Sequence, residues 1–82
     1  MLKIYGSDHC PDCVQCKAEL DQAGIAYEYL SITESLRCLK EFLALRDRES
    51  VFSPVKEAGK IGIPCIIAED GAVSLEWEQY LE

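Results

Sequence analysis

The sequence predicts an α/β domain in which four strands form one mixed sheet. Apolar runs of strand length alternate with amphipathic stretches of helix length, in the order β-α-β-α-(α)-β-β-α. The first strand, helix and second strand have the lengths of a right-handed parallel βαβ unit. The Asp70-Gly71 pair is typical of a hairpin turn, which makes the last two strands antiparallel. Eighty-two residues allow a single small domain, residues 1–82.

Glycine and proline divide the N-terminal half into its elements. Residues 2–5 form the predicted first strand, which ends at Gly6. A stripe of apolar and small side chains with helical spacing then occupies residues 11–23, and Gly24 is the expected C-terminal cap of this helix. Residues 25–30 are rich in aromatic and β-branched side chains and form the predicted second strand.

Capping and turn signals divide the C-terminal half in the same way. Ser31 and Glu34 have the spacing of a capping box, with Thr33 as the competing cap. The amphipathic helix that follows is predicted to start near Leu36 and to end at about Leu45. The remaining predicted elements are a short helix from Ser53-Pro54 to Gly59, a third strand at 65–68, a fourth strand at 72–75 and a short last helix at 76–81.

The chain carries a formal net charge of −7 and five cysteines. The acidic balance argues against nucleic acid or an anionic membrane as a partner. No apolar run approaches the roughly 20 residues that a membrane helix needs, and no signal-peptide core is visible. The protein is therefore expected to be a cytoplasmic monomer, in a compartment where structural disulfides rarely persist. Five cysteines in such a chain favour redox chemistry or metal binding over a disulfide scaffold.

Cys10 and Cys13 bracket the start of the first helix. Pro11 lies between them, and proline is favoured at the first helical position because it has no N–H to leave unpaired. The unsatisfied N–H groups and the dipole of a helix start favour a thiolate. Cys10 is therefore the predicted nucleophile, and Cys13, one turn further on, is close enough to form a disulfide with it. This pair is the predicted active site.

A family resemblance is carried by the Cys10-Pro11-Asp12-Cys13 motif, by Gly62-Ile63-Pro64 before the third strand and by the hairpin after it. The chain resembles the glutaredoxins over essentially its whole length. The resemblance implies a thioredoxin-like fold, with helices on both faces of the sheet, and a thiol–disulfide oxidoreductase in which Cys13 resolves a mixed disulfide at Cys10. It also implies a cis-proline at Pro64 that faces the cysteine pair, and a backbone contact between Ile63 and the substrate. The candidate substrate-binding residues are His9, Pro11, Asp12, Ile63 and Pro64.

Cys16 and Cys65 leave more than one interpretation open. Cys16 lies on the apolar stripe of the first helix, which favours a core position, and Cys65 begins a strand near the active site. Each is also a possible third redox thiol. The alternative function is a zinc or iron–sulfur site made of Cys10, Cys13, Cys16 and Cys65. Residues 10–16 span about 9 Å along a helix, so convergence of their thiols requires an unwound turn. The expectation is that no metal or cofactor is bound.

The chain departs from typical glutaredoxins where glutathione would bind. The loop before Cys10 reads Ser-Asp-His at residues 7–9 and contains no lysine or arginine. Gly62-Ile63 replaces the usual Thr-Val before the proline, and residues 75–78 lack a Gly-Gly element. Glutathione carries two carboxylates that need donors, so it is expected to be a poor reductant here. The expected partners are a protein disulfide as substrate and a protein dithiol as electron donor.

Overall fold

A computed structural model describes residues 1–81, and its centre is a four-stranded sheet with strand order β2-β1-β3-β4. β1 pairs in parallel with β2 and antiparallel with β3, and β4 pairs antiparallel with β3. The predicted mixed sheet, with a βαβ unit at one side and a hairpin at the other, is therefore confirmed. The strands are Leu2–Gly6 (β1), Tyr27–Ser31 (β2), Cys65–Ile67 (β3) and Val73–Ser74 (β4).

Helices cover both faces of this sheet, as predicted. Three are α-helical, Pro11–Gln22 (α1), Leu36–Arg48 (α2) and Ser53–Glu57 (α3). Two segments of 3₁₀-helix, Ser50–Phe52 and Trp77–Tyr80, complete the described elements. Within residues 1–81, no helix is both long enough and apolar enough to cross a membrane.

The alternation of side chains along the strands gives the domain two apolar cores. Successive residues of a strand point to opposite faces of its sheet. Ile4 of β1 and its β3 neighbour Ile66 are buried with Cys16 and Leu20 of α1. Tyr5 and its β3 neighbour Cys65 are buried on the other face, in a core that also contains Ile32, Phe42 and Phe52.

The end of α1 explains where the second strand begins. Gly24 has a φ of +70°, its N–H donates to the Asp21 carbonyl, and the Ile25 N–H donates to the Leu20 carbonyl at 3.0 Å. This pair of bonds is a Schellman motif, which uses the glycine as the sequence predicts. Ile25 is therefore engaged in closing the helix, and the strand starts two residues later than predicted, at Tyr27.

The predicted capping box at Ser31 is wrong as a helix start. The Glu34 N–H does donate to the Ser31 hydroxyl at 3.2 Å, but residues 32–34 form a turn. The Ile32 N–H donates to the Gly6 carbonyl at 2.9 Å and continues the β1–β2 ladder, so the chain is still paired with β1 where the helix was expected to begin. The cap of α2 is Ser35, whose hydroxyl accepts from the Cys38 N–H, and the helix runs three residues beyond Leu45.

The predicted last helix is a single stretch of 3₁₀-helix. Trp77–Tyr80 has only four residues. The first turn of an α-helix is costly to form, and so short a segment adds too few further hydrogen bonds to offset that cost. The segment is fixed instead by its side chains, because Trp77 packs against the α1 core and donates from Nε1 to Glu19 Oε1 at 2.7 Å. The predicted fourth strand is also shorter, at Val73–Ser74.

A loop from Lys60 to Pro64 joins α3 to β3. Gly59, with a φ of +70°, ends α3 through bonds from its own N–H to the Lys56 carbonyl and from the Lys60 N–H to the Val55 carbonyl. Gly62 has a φ of +97°, and a β-carbon there would lie 2.8 Å from a ring carbon of Phe52. Phe52 is fully buried, so the loop backbone rests directly on the core.

Replacement of Gly62 by alanine should therefore destabilise the protein more than replacement of Gly59. Both substitutions force a non-glycine residue into positive φ, which costs about 1–2 kcal/mol. Only the Gly62 methyl also meets a buried ring, and such overpacking adds about 1–3 kcal/mol. Urea unfolding of Gly62→Ala and Gly59→Ala would measure the difference in unfolding free energy, and equal losses would contradict this account.

Candidate active site

Cys10 lies where the loop after β1 turns into α1. It occupies the N-cap position in an extended conformation, with φ −101° and ψ 118°, and its side chain is half-buried. Its N–H donates to the Ser7 carbonyl at 3.0 Å, and its own carbonyl accepts from the N–H groups of Cys13 and Val14. These bonds fix the first turn of α1 and place the Cys10 sulfur at the helix start, as the sequence predicts.

A groove opens beside Cys10. It has a volume of about 470 Å³, and both polar and apolar groups line it. The Ile63–Pro64 peptide bond at its edge is cis, and Pro64 itself is buried. Among residues 1–81, Lys60 is the one cationic side chain and Asp12 the one anionic side chain that line the groove. Its lining residues are Cys10, Asp12, Val55, Gly59, Lys60, Ile61, Gly62, Ile63 and Leu75.

Arg46 of α2 fixes the loop from Lys60 to Pro64, which forms one wall of the groove. Its Nε donates to the Ile61 carbonyl at 2.8 Å and its Nη2 donates to the Lys60 carbonyl at 2.6 Å. The rigid guanidinium fork suits two adjacent carbonyls in a way that a lysine ammonium would not. In the sequence, Arg46 is one residue of a charged helix end. In the structure, it positions the loop that lines the groove together with Cys10.

Cys13 is fully buried one turn behind Cys10. Burial is the largest influence on its thiol and raises its pKa to about 12, although a backbone hydrogen bond from Ser7 acts in the opposite direction. Gly6 permits this placement, since a β-carbon at Gly6 would lie 3.0 Å from the Cys13 sulfur. The Cys13 sulfur therefore packs directly against the backbone of β1 at Gly6.

A small polar cluster lies on the other side of Cys13. Lys17 Nζ donates to Asp8 Oδ1 at 2.6 Å, and this bond holds the pKa of the Asp8 carboxyl below its usual range. The same ammonium lies 4.0 Å from the centre of the Tyr29 ring. The Tyr29 hydroxyl is buried and lies beside Gly6. The Lys17 ammonium therefore binds Asp8 and the Tyr29 ring, and Lys17 does not line the groove.

The predicted substrate-binding residues divide into two groups. Asp12 and Ile63 line the groove together with Cys10, whereas Pro64, the next residue after Ile63, is buried and does not line it. His9 and Pro11 are exposed on the neighbouring loop and helix start, and they do not line the groove. The Ser7 hydroxyl fixes this loop, because it accepts from the His9 N–H and bonds to the Thr33 hydroxyl at 3.0 Å.

Cys16 and Cys65 lie in different cores, on opposite faces of the sheet. Cys16 is buried with Leu20 on the α1 face, whereas Cys65 is buried with Phe42 and Phe52 on the other. The sheet between them prevents the four thiols Cys10, Cys13, Cys16 and Cys65 from converging. Among residues 1–81, no three His, Cys, Asp or Glu side chains are placed to hold a metal ion. The alternative of a zinc or iron–sulfur site therefore has no geometric support.

The sequence did not indicate three residues near the site: Ser7, which fixes the loop before Cys10, Tyr29, whose hydroxyl lies beside Gly6, and Arg46, which binds the loop at 60–61. Gly6 and Ser7 lie shortly before Cys10 in the chain, so their position in the sequence could have indicated that they lie close to Cys13. Tyr29 and Arg46 lie on β2 and α2, far from the motif in sequence, and no local pattern distinguishes them from a core tyrosine and a surface arginine.

A mixed four-stranded sheet with a C-x-x-C pair at the start of its first helix is the arrangement of thioredoxin-like folds. Comparison with known proteins narrows this class. The family model described as Glutaredoxin matches residues 2–71. An uncharacterized protein of Haemophilus influenzae is 37% identical over 73 residues, which cover 89% of this chain and 85% of that protein. The chain belongs to the glutaredoxin family.

The buried thiols predict how stability depends on pH. Burial raises the pKa of Cys13, Cys16 and Cys65 to about 12, whereas an unfolded thiol ionises near 9.0. Above pH 9.0 the unfolded chain releases protons that the folded chain retains, so the free energy of unfolding should fall as pH rises toward 12. Urea unfolding of the reduced protein on both sides of pH 9.0 would measure this fall.

Cys16→Ala is the matched control for this experiment. It removes one of the three buried thiols without touching the Cys10–Cys13 pair, so the unfolding free energy of the variant should depend less steeply on pH. A variant whose pH dependence runs parallel to that of the wild type would show that Cys16 does not contribute as described.

Proposed function

We propose that this protein is a thiol–disulfide oxidoreductase that reduces protein disulfides through Cys10 and Cys13. The observation that carries the proposal is the pairing of a half-buried sulfur at a helix start, opening on a groove, with a fully buried sulfur one turn behind it. An accessible thiol can attack a substrate, and a shielded neighbour can then attack only that first sulfur.

The reaction proceeds in two displacements. The Cys10 thiolate attacks one sulfur of the substrate disulfide, forms a mixed disulfide and releases the other substrate sulfur as a thiolate. Cys13 loses its proton and attacks the Cys10 sulfur, which forms the Cys10–Cys13 disulfide and expels the second substrate thiolate. The substrate gains two electrons and, with two protons, becomes a dithiol. A dithiol donor returns two electrons to the protein.

The groove favours an extended peptide as the substrate. Ile63 lies in the loop before β3. Among residues 1–81, its N–H and carbonyl make no loop hydrogen bond, so they are available to a peptide backbone. Ile61 is exposed and Val55, Ile63 and Leu75 supply apolar surface beside them. Backbone pairing with apolar side-chain contacts is the way an extended segment adds to a sheet edge. We place this activity in the cytoplasm, where substrate disulfides are transient.

The charges of the groove favour a protein dithiol over glutathione as the electron donor. Glutathione carries two carboxylates, and Lys60 is the single cationic side chain among the described residues that line the groove, which Asp12 also lines. Lys17, the other lysine near the motif, is paired with Asp8. A charged hydrogen bond contributes about 1.5–3 kcal/mol, so two that are missing would weaken glutathione binding by roughly two to four decades. A donor that docks through its backbone loses much less.

Substitution of single cysteines should separate the roles of the thiols. Cys10→Ser should abolish disulfide reduction, because no other thiol opens on the groove. Cys13→Ser should form a mixed disulfide with the substrate and stop there. Turnover of a protein disulfide, followed by mass analysis of the trapped adduct, measures both effects.

Cys38→Ser is the control for these variants. Cys38 is half-buried on α2 beside Tyr5, away from the groove, so its loss should leave turnover nearly intact. An inactive but folded Cys38→Ser protein, or an adduct of Cys13→Ser at a residue other than Cys10, would contradict the assignment.

The donor preference gives a second test. Reduction of one protein disulfide would be coupled either to glutathione with its reductase or to a protein dithiol with its reductase. The protein donor should support faster turnover, and turnover with glutathione should rise with concentration without saturating in the low millimolar range. Full turnover with saturation by glutathione in that range would overturn the donor proposal and leave the dithiol mechanism in place. Lys60→Ala shows whether this one cation carries any glutathione activity that is found.

A further inference from the structure

The hydroxyl of Tyr29 is an unusual group in this domain. Among the residues that the structure describes, it is the one buried side-chain polar atom with no hydrogen-bond partner. Two other tyrosine hydroxyls of the domain are satisfied, since Tyr5 donates to Glu41 and Tyr27 donates to Asp21, each at 2.9 Å. A buried unpaired hydroxyl costs stability, and a phenylalanine at position 29 would fill the same space without that cost. Packing of the ring alone therefore does not account for this hydroxyl.

Gly6 brings the hydroxyl close to the resolving thiol. A β-carbon built on Gly6 would lie 2.9 Å from the Tyr29 hydroxyl oxygen and 3.0 Å from the Cys13 sulfur. The oxygen and the sulfur are thus separated by no more than the sum of these distances. Because glycine has no side chain, nothing from position 6 lies between them.

The charges around Tyr29 make its hydroxyl a hydrogen-bond donor. Burial raises its pKa, and the neighbouring Cys13 and Asp8 raise it further, so the hydroxyl keeps its proton at neutral pH. The Asp8 carboxylate accepts from Lys17 at 2.6 Å and also lies close to the hydroxyl, so it is the competing acceptor in the resting protein. The Lys17 ammonium lies over the ring of Tyr29 and adds positive charge to this side of the cluster. Of the two thiolates that can form near the hydroxyl, those of Cys13 and Cys10, Cys13 raises the pKa of the hydroxyl more strongly.

We propose that the Tyr29 hydroxyl donates a hydrogen bond to the Cys13 sulfur when that sulfur becomes the attacking thiolate. The proposal rests on the dithiol mechanism above and concerns its second displacement alone. Cys13 releases its proton to solvent and attacks Cys10, the bond between Cys10 and the substrate breaks, and the departing thiolate takes up a proton. Tyr29 keeps its own proton throughout. A hydrogen bond present at the thiolate and absent in the resting protein lowers the barrier to the second displacement.

An aromatic disulfide that releases a coloured thiolate at each displacement tests the proposal. One equivalent of 5,5′-dithiobis(2-nitrobenzoate) is mixed with the reduced protein in a Cys38→Ser background, which removes the other half-buried thiol. The first release reports attack by Cys10 and the second reports attack by Cys13. Stopped-flow absorbance gives both rate constants for the wild-type background, for Tyr29→Phe and for the matched control Tyr27→Phe on the same strand.

Tyr29→Phe should leave the first phase unchanged and slow the second by about three- to twentyfold, because about half of the stabilisation of a thiolate by one charged hydrogen bond is offset by its lower nucleophilicity. Its melting temperature should equal or exceed that of the wild type, since the variant removes an unpaired buried hydroxyl. Tyr27→Phe should leave both phases unchanged.

Three results would overturn the proposal. A second phase within about twofold of the wild-type rate would show that the hydroxyl does not assist Cys13. A markedly lower melting temperature would assign the hydroxyl to folding instead. A wild-type protein that releases no second equivalent would refute the dithiol mechanism itself, and the role of Tyr29 with it.

Discussion

The burial of Cys13 against Gly6 is the contact on which the rest of the site depends. It seats the first turn of α1 on the end of β1, so the half-buried Cys10 sits at the N-cap and opens on the groove. The same contact removes Cys13 from solvent and raises its pKa, which leaves the two thiols of one motif chemically different. A side chain at position 6 would separate Cys13 from β2 and from the hydroxyl of Tyr29.

The wall of the groove depends on a second set of contacts, made by the opposite face of the sheet. Phe52 packs beneath Gly62, and Arg46 binds two successive carbonyls of the loop that leads to Ile63. Both supports come from the α2–α3 layer, whereas Cys10 and Cys13 come from the α1 layer. The groove is therefore formed where the two layers meet at one end of the sheet, which places the Cys10 sulfur and the backbone of Ile63 in the same groove.

The sequence by itself predicted the features that depend on local chemistry. Strand and helix periodicity, the prolines at the helix starts and the glycines after α1 and α3 were sufficient for the order of elements and the mixed sheet. The Cys10–Cys13 spacing and Gly62-Ile63-Pro64 were sufficient for the family. The local signals failed where a distant contact competes with them: Ile32 pairs with Gly6 and displaces the helix start from Ser31 to beyond Ser35.

The tertiary structure alone decided which distant residues complete the site and which cysteines stand apart from it. Residues that are adjacent along a strand, such as Ile4 and Tyr5, face different cores, so Cys16 and Cys65 are separated by the sheet although both lie near the motif in the predicted order. Tyr29 and Arg46 come from elements whose own sequences need no such residue. Their positions follow from the strand register and the packing of α2, which no local pattern encodes.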